Sequence, residues 1–108
     1  MTVAWNPNDG VPNRWIQADL RTRHFLYSIT TQGSSDYYNW IISYYVHYGD
    51  DGVNFNAIAT QYLGNTDQHT KVTHELPLNT IGRFVRLYPE FLRTYGTVRW
   101  DVYAGEQI

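Results

Sequence analysis

Trp40-Ile41-Ile42-Ser43-Tyr44-Tyr45-Val46-His47-Tyr48, running into Gly49-Asp50-Asp51-Gly52, is the stretch that decides the fold. Tyr44, Val46 and Tyr48 fall on one face and Ser43, Tyr45 and His47 on the other, the period of two that a strand imposes on its side chains. β-Branched and aromatic residues suit such a pleated, half-buried surface. The glycines and aspartates that follow stop the strand, and Asp51-Gly52 supplies the positive φ angles of a primed hairpin turn. Val53 to Thr60 is then the returning strand.

The same pattern extends in both directions. Upstream, Arg14 to Leu20 alternates, with Ile16, Ala18 and Leu20 opposite Trp15, Gln17 and Asp19, and Phe25 to Thr31 is a second strand stopped by Gly33. Downstream, Thr70 to Leu76 alternates until Pro77, Arg83 to Tyr88 ends at Pro89, and Val98 to Tyr103 is last. Glu90 to Tyr95 reads as a short connector with room for one helical turn. Trp5 to Asn13, Ser34 to Asn39 and Gly64 to His69 read as loops. Seven short strands separated by turn residues predict one all-β domain over residues 1–108, a sandwich or barrel.

Composition narrows the function. Of 108 residues, 43% are apolar and 17% charged, enough for a packed core. The aromatic share is 17%, mostly 10 Tyr and 4 Trp, residues that combine flat apolar area with a polar handle. Net charge is −2 and the only lysine is Lys71, so the clustered cations that neutralise nucleic-acid phosphates or dock to anionic lipid are missing. There is no cysteine, hence neither a disulfide nor a thiolate metal site. No G-x-S-x-G, phosphate-cradling glycine loop or nucleophile–base pairing occurs, so neither catalysis nor a cofactor is expected.

In order along the chain, Arg14-Trp15-Ile16-Gln17-Ala18-Asp19-Leu20, Ile29-Thr30-Thr31-Gln32-Gly33, Tyr44 to Tyr48 with Asp50-Asp51-Gly52-Val53-Asn54-Phe55, Gly64-Asn65-Thr66-Asp67, Arg83-Phe84-Val85-Arg86-Leu87-Tyr88-Pro89 and Val98-Arg99-Trp100-Asp101-Val102-Tyr103 together resemble the discoidin domain, also called the coagulation factor 5/8 type C domain. The resemblance covers nearly the whole chain. It implies a discoidin-like jelly-roll β-sandwich, a distorted barrel of antiparallel strands with the galactose-binding-domain architecture. It also implies a non-catalytic module of the extracellular space or cell surface, part of a larger protein, that binds a glycan or a cell-surface or extracellular-matrix protein. Two alternatives accompany it: a peripheral phospholipid-binding module, and a carbohydrate-binding appendage of a glycoside-acting enzyme. The family normally carries a stretch ahead of Ala4-Trp5, so the chain is expected to be truncated at its N-terminus, with a sheet edge exposed to self-association. Family members also close the barrel with a Cys near each end, the second falling near Gly105. Without that staple, which is worth a few kcal/mol, the aromatic core must hold the fold.

The resemblance places the ligand at loops clustered at one end, two of them being Asn6 to Asn13 and Ser34 to Asn39. The first contributes Asn8, Asp9 and Val11. Val11 is an apolar tip for weak membrane contact, opposed by the negative charge of Asp9 and Asp36. In the second, Tyr37 and Tyr38 offer rings to stack on a sugar or anchor a protein. Alternatively, Tyr38 and Trp40 begin the next strand and face inward. Asp36 with Ser34 could bond sugar hydroxyls, although turn geometry is the stronger reading of both. Asn65 and Asp67 belong to an oxygen-rich loop similar to polar contacts in some relatives, yet with one carboxylate it falls short of the six to eight oxygens of Ca²⁺. Asp50 and Asp51 read as turn residues. Asp19 and Arg86 read as members of a structural ion pair or hydrogen-bond network. His24, His47, His69 and His74 lack ligand-like spacing.

Overall fold

The structure, a computed structural model, describes residues 2–5, 15–94 and 98–108, and among these every regular element is a strand. The strands are β1 (Thr2–Trp5), β2 (Ile16–Gln32), β3 (Ile41–Gly49), β4 (Asn56–Ala57), β5 (Tyr62–Leu63), β6 (Val72–Glu75), β7 (Ile81–Leu92) and β8 (Val98–Gln107). They form one antiparallel sheet in the order β1-β8-β2-β7-β3-β4, with β5 added to β3 and β6 to β2. The all-β expectation holds.

β2 explains how one sheet encloses a core. A straight 17-residue strand would reach about 56 Å at ~3.3 Å per residue, yet the longest dimension of the molecule is 38 Å. The strand bends between Asp19 and His24, where its register against β7 shifts. Arg21 takes a positive φ of 73° there, and Asp19 Oδ1 accepts the Arg21 amide hydrogen at 2.8 Å. The first half of β2 pairs with β7, and the second half carries β8 on one edge and β6 on the other. Ile16 and Ala18 from the first half meet Leu26 and Ile29 from the second in a single core with Tyr44, Val46, Val85, Leu87, Val98 and Trp100. The two strands expected at Arg14 to Leu20 and Phe25 to Thr31 are therefore one, bent at an irregularity between them.

Three further expectations change. Pro89 does not end its strand: it lies opposite Tyr44 at a register irregularity of β3, where a ring without an N–H costs no ladder bond, and β7 continues to Leu92. Glu90 to Leu92 is accordingly strand, not a connector. Of Val53 to Thr60 only Asn56–Ala57 pairs with β3, and Gly52 alone of the Asp51-Gly52 pair has a positive φ. Asp51 Oδ1 instead accepts the amide hydrogens of Val53 (2.9 Å) and Asn54 (2.8 Å), stabilising a longer loop where a tight hairpin turn was expected.

Candidate functional site

At one end of the curled sheet, β2 passes into β3 through residues 33–40. The carbonyl of Asn39 accepts the Ser34 amide at 2.9 Å, and Ser34 Oγ accepts the amides of Asp36 (3.2 Å) and Tyr37 (3.1 Å). A Cβ on Gly33 would lie 2.7 Å from Asn39 O and from Gln68 Cα, so only glycine permits this closeness of backbones. Asn39 is wholly buried, and its Oδ1 accepts hydrogen bonds from the Thr94 amide (3.3 Å) and hydroxyl (3.5 Å). Pairing of Ile41 with Leu92 at the end of β7 brings Arg93 and Thr94 to this loop, and Arg93 N–H donates to Trp40 O at 2.9 Å.

The segment 64–70 buttresses the same end. Arg99 Nε donates to Gly33 O (2.7 Å) and its Nη2 to Gln68 O (3.3 Å), while Gln68 Nε2 donates to Ser34 O (3.3 Å). Asn65 Nδ2 donates to Thr31 O (3.0 Å) and Thr70 O (2.8 Å). Both Asp67 oxygens are engaged by residues 69 and 70, and the Thr70 amide, first among these donors, holds its carboxyl below the ordinary aspartate range.

What this frame presents outward is Asp36, Tyr37 and Tyr38. Both tyrosines are 62% exposed, and Trp40 behind them is 6% exposed. Tyr38 meets Trp40 edge to face at 4.7 Å between centroids, and the Arg93 guanidinium lies 5.2 Å from the Tyr38 ring centre. Tyr38 therefore points out and Trp40 in. Ser34 and Asn65, expected to face the ligand, are buried, because their polar groups serve the loop backbone. Asp67 is exposed but fully engaged in its own turn. Asn8, Asp9 and Val11 lie outside the described residues. Arg93 and Thr94 were missed from the sequence, since nothing local marks them and only the β3–β7 register brings them here.

Asp19, Arg83, Arg86 and Asp50 are structural. Asp19 receives Arg83 through Nε (2.8 Å) and Nη2 (2.9 Å), which with the Arg21 amide lowers its carboxyl to about 2. Arg86 is clamped between the rings of Trp15 (3.8 Å) and Phe55 (3.9 Å), and its Nε donates to Gln17 Oε1 at 2.9 Å. Asp50 pairs with Arg23 at 3.2 Å. Among the described residues, no group of three His, Asp or Glu side chains is placed to hold a metal ion.

The family model of the F5/8 type C domain matches residues 1–100. This chain belongs to that family. The F5/8 type C chain is 30% identical over 90 residues to Contactin-associated protein 1 of Homo sapiens and likewise to that of Rattus norvegicus, covering 79% of this chain but 6% of each relative. Recombinant discoidin II of Dictyostelium discoideum superposes with a TM-score of 0.85 at 25% identity, over 95% of this chain and 42% of that one. CpGH89CBM32-5 from Clostridium perfringens, solved in complex with GalNAc-β-1,3-galactose, superposes at 0.66 and 18% identity, over 96% and 94% of the two chains. The discoidin-like jelly-roll architecture is thereby established, in a family of carbohydrate-binding and adhesion modules.

Proposed function

We propose that this F5/8 type C domain is a non-catalytic recognition module of the cell surface or extracellular space that binds a glycan through the Asp36–Tyr37–Tyr38 rim. The observation that carries the reading is the pair of outward tyrosines on a loop whose backbone is already fixed by Gly33, Ser34 and Asn39. Rings held still lose little conformational freedom on binding. Tyr37 supplies a stacking face, Asp36 accepts sugar hydroxyls, and Arg93 beside Tyr38 adds a donor. Asn8, Asp9 and Val11 complete the proposed set. The disaccharide bound by the Clostridium relative supports a glycan ligand, while likeness to Contactin-associated protein 1, whose name records association with contactin, favours a protein partner at the same rim as the second reading.

A glycan array probed with wild type, Tyr37→Ala and Tyr38→Ala separates the two. The glycan reading expects a sugar signal that falls about tenfold or more in Tyr37→Ala, the loss typical of an anchoring aromatic. Absence of any signal from wild type removes it in favour of the protein partner. Liposome flotation tests the phospholipid alternative: binding to phosphatidylserine vesicles that resists Tyr37→Ala would replace the rim reading with a membrane one.

A further inference from the structure

A second aromatic surface lies on the outer face of the sheet, away from the rim. Phe25 and Tyr27 stack at 5° and 6.3 Å, and Tyr27 meets Tyr103 of β8 at 5.9 Å, giving a ladder of three rings. Tyr27 lies flat over Gly105, where any Cβ would collide with its ring. The ladder is thus fixed from beneath and from both sides, yet Tyr27 is 47% and Tyr103 65% exposed. Pro77 and Leu78, the latter 94% exposed, form the opposite wall of a 570 Å³ groove over these rings. Tyr27 is five residues, about 17 Å of extended strand, from the Gln32 end of β2 that leads to the rim.

Size and charge together select the occupant. The volume falls within the range of small-ligand clefts. Among the described residues, Glu75 is the one acidic or basic residue lining the groove. The other polar residues along it are uncharged: Tyr27, Tyr103, Ser28 and Asn79, with Thr73 and Thr80, whose hydroxyls already bond Thr30 and Pro77 O. A lining of neutral hydrogen-bonding groups around flat rings matches a neutral polyol with apolar C–H faces, and mismatches an anion or a cationic peptide. We infer that this groove is a second carbohydrate site, separate from the rim, which takes one or two neutral hexose units stacked on Tyr27 and Tyr103 with a hydroxyl directed to Glu75.

The test is an amide NMR titration of the ¹⁵N-labelled chain with methyl β-D-galactopyranoside, lactose and cellobiose. The inference expects at least one sugar to shift the Ser28, Thr73, Glu75 and Asn79 amides saturably. Its affinity should fall about tenfold in Tyr103→Ala and in Leu78→Ser, both at exposed positions that leave the core intact, and stay unchanged in Tyr37→Ala. It is overturned if none of the three sugars moves those amides, if Tyr103→Ala binds as wild type does, or if the shifts track protein concentration instead of sugar, which would make the occupant a second copy. Because Tyr37→Ala reports on the rim alone, failure of one site is distinguishable from failure of the other.

Discussion

The loops at residues 33–40 and 49–55 are built with the same device and put to opposite use. In each, one side-chain oxygen near the start, Ser34 Oγ or Asp51 Oδ1, accepts two successive amides and fixes the turn. In the second loop the aromatic residue folds back, and Phe55 covers the Arg86 guanidinium. In the first Tyr37 and Tyr38 face out, and what folds back is Asn39 and Trp40. A fixed turn is thus only a scaffold. What makes a recognition surface is the placement of apolar area on the side away from the core.

Asn39→Ala should break this comparison most strongly. It removes the acceptor of the Thr94 amide and a fully buried polar side chain, at a cost of about 1 kcal/mol, while the Thr94 hydroxyl keeps only Tyr38 O, and it loosens the rim. A thermal melt and the glycan array should fall together, and a melt that moves without the array would separate loop order from recognition. Acid should act next. Asp19 and Asp51 are lowered to about 2, Asp19 chiefly by Arg83 and Asp51 chiefly by the Asn54 amide. Folded values below the unfolded carboxyl, roughly 3.9, mean a contribution that is complete above about pH 4 and is lost as pH falls toward 2. Melts from pH 5 to 2 should show that decline, shallower in Asp51→Ala. The Ser34 turn does not titrate, but the Asp67 carboxyl in the buttressing segment is held below its ordinary range chiefly by the Thr70 amide, so the protection of rim amides relative to free peptide should fall as acid protonates it. Tyr37→Ala should change the melting temperature least, within about 0.5 kcal/mol, because an exposed ring away from the core contributes little to folding. A large shift would show that the ring packs where the structure leaves it open.

Much of this was legible from alternation. Tyr44 and Val46 lie in the core, and Ile16 and Ala18 point the way their spacing predicts, because burial on one face of a strand writes itself into sequence at period two. The bend in β2 was not legible: Arg21-Thr22-Arg23 holds no Gly or Pro, and the turn is made by the Asp19 carboxylate and one residue at positive φ. Tyr37 was legible as a loop ring with no strand face to occupy. The turn reading of Ser34 was legible, because its partners are the nearby amides of Asp36 and Tyr37, whereas the role of Asn65 was not, because Thr31 O becomes its neighbour only after folding. Arg93 was invisible for the same reason, since its place beside Tyr38 depends on the Ile41–Leu92 register.

The bent, continuous course of β2 has a mechanical consequence. Its first half holds β7 and through it β3, and its second half holds β8, β6 and through β8 also β1, so one covalent thread runs through both walls of the molecule. Neither wall can peel away without pulling that thread from the other. The rim, fastened where β2 ends and β3 begins, is therefore anchored on the strand that joins the two halves of the sheet, and tension arriving through a bound partner enters the sheet through β2 and β3.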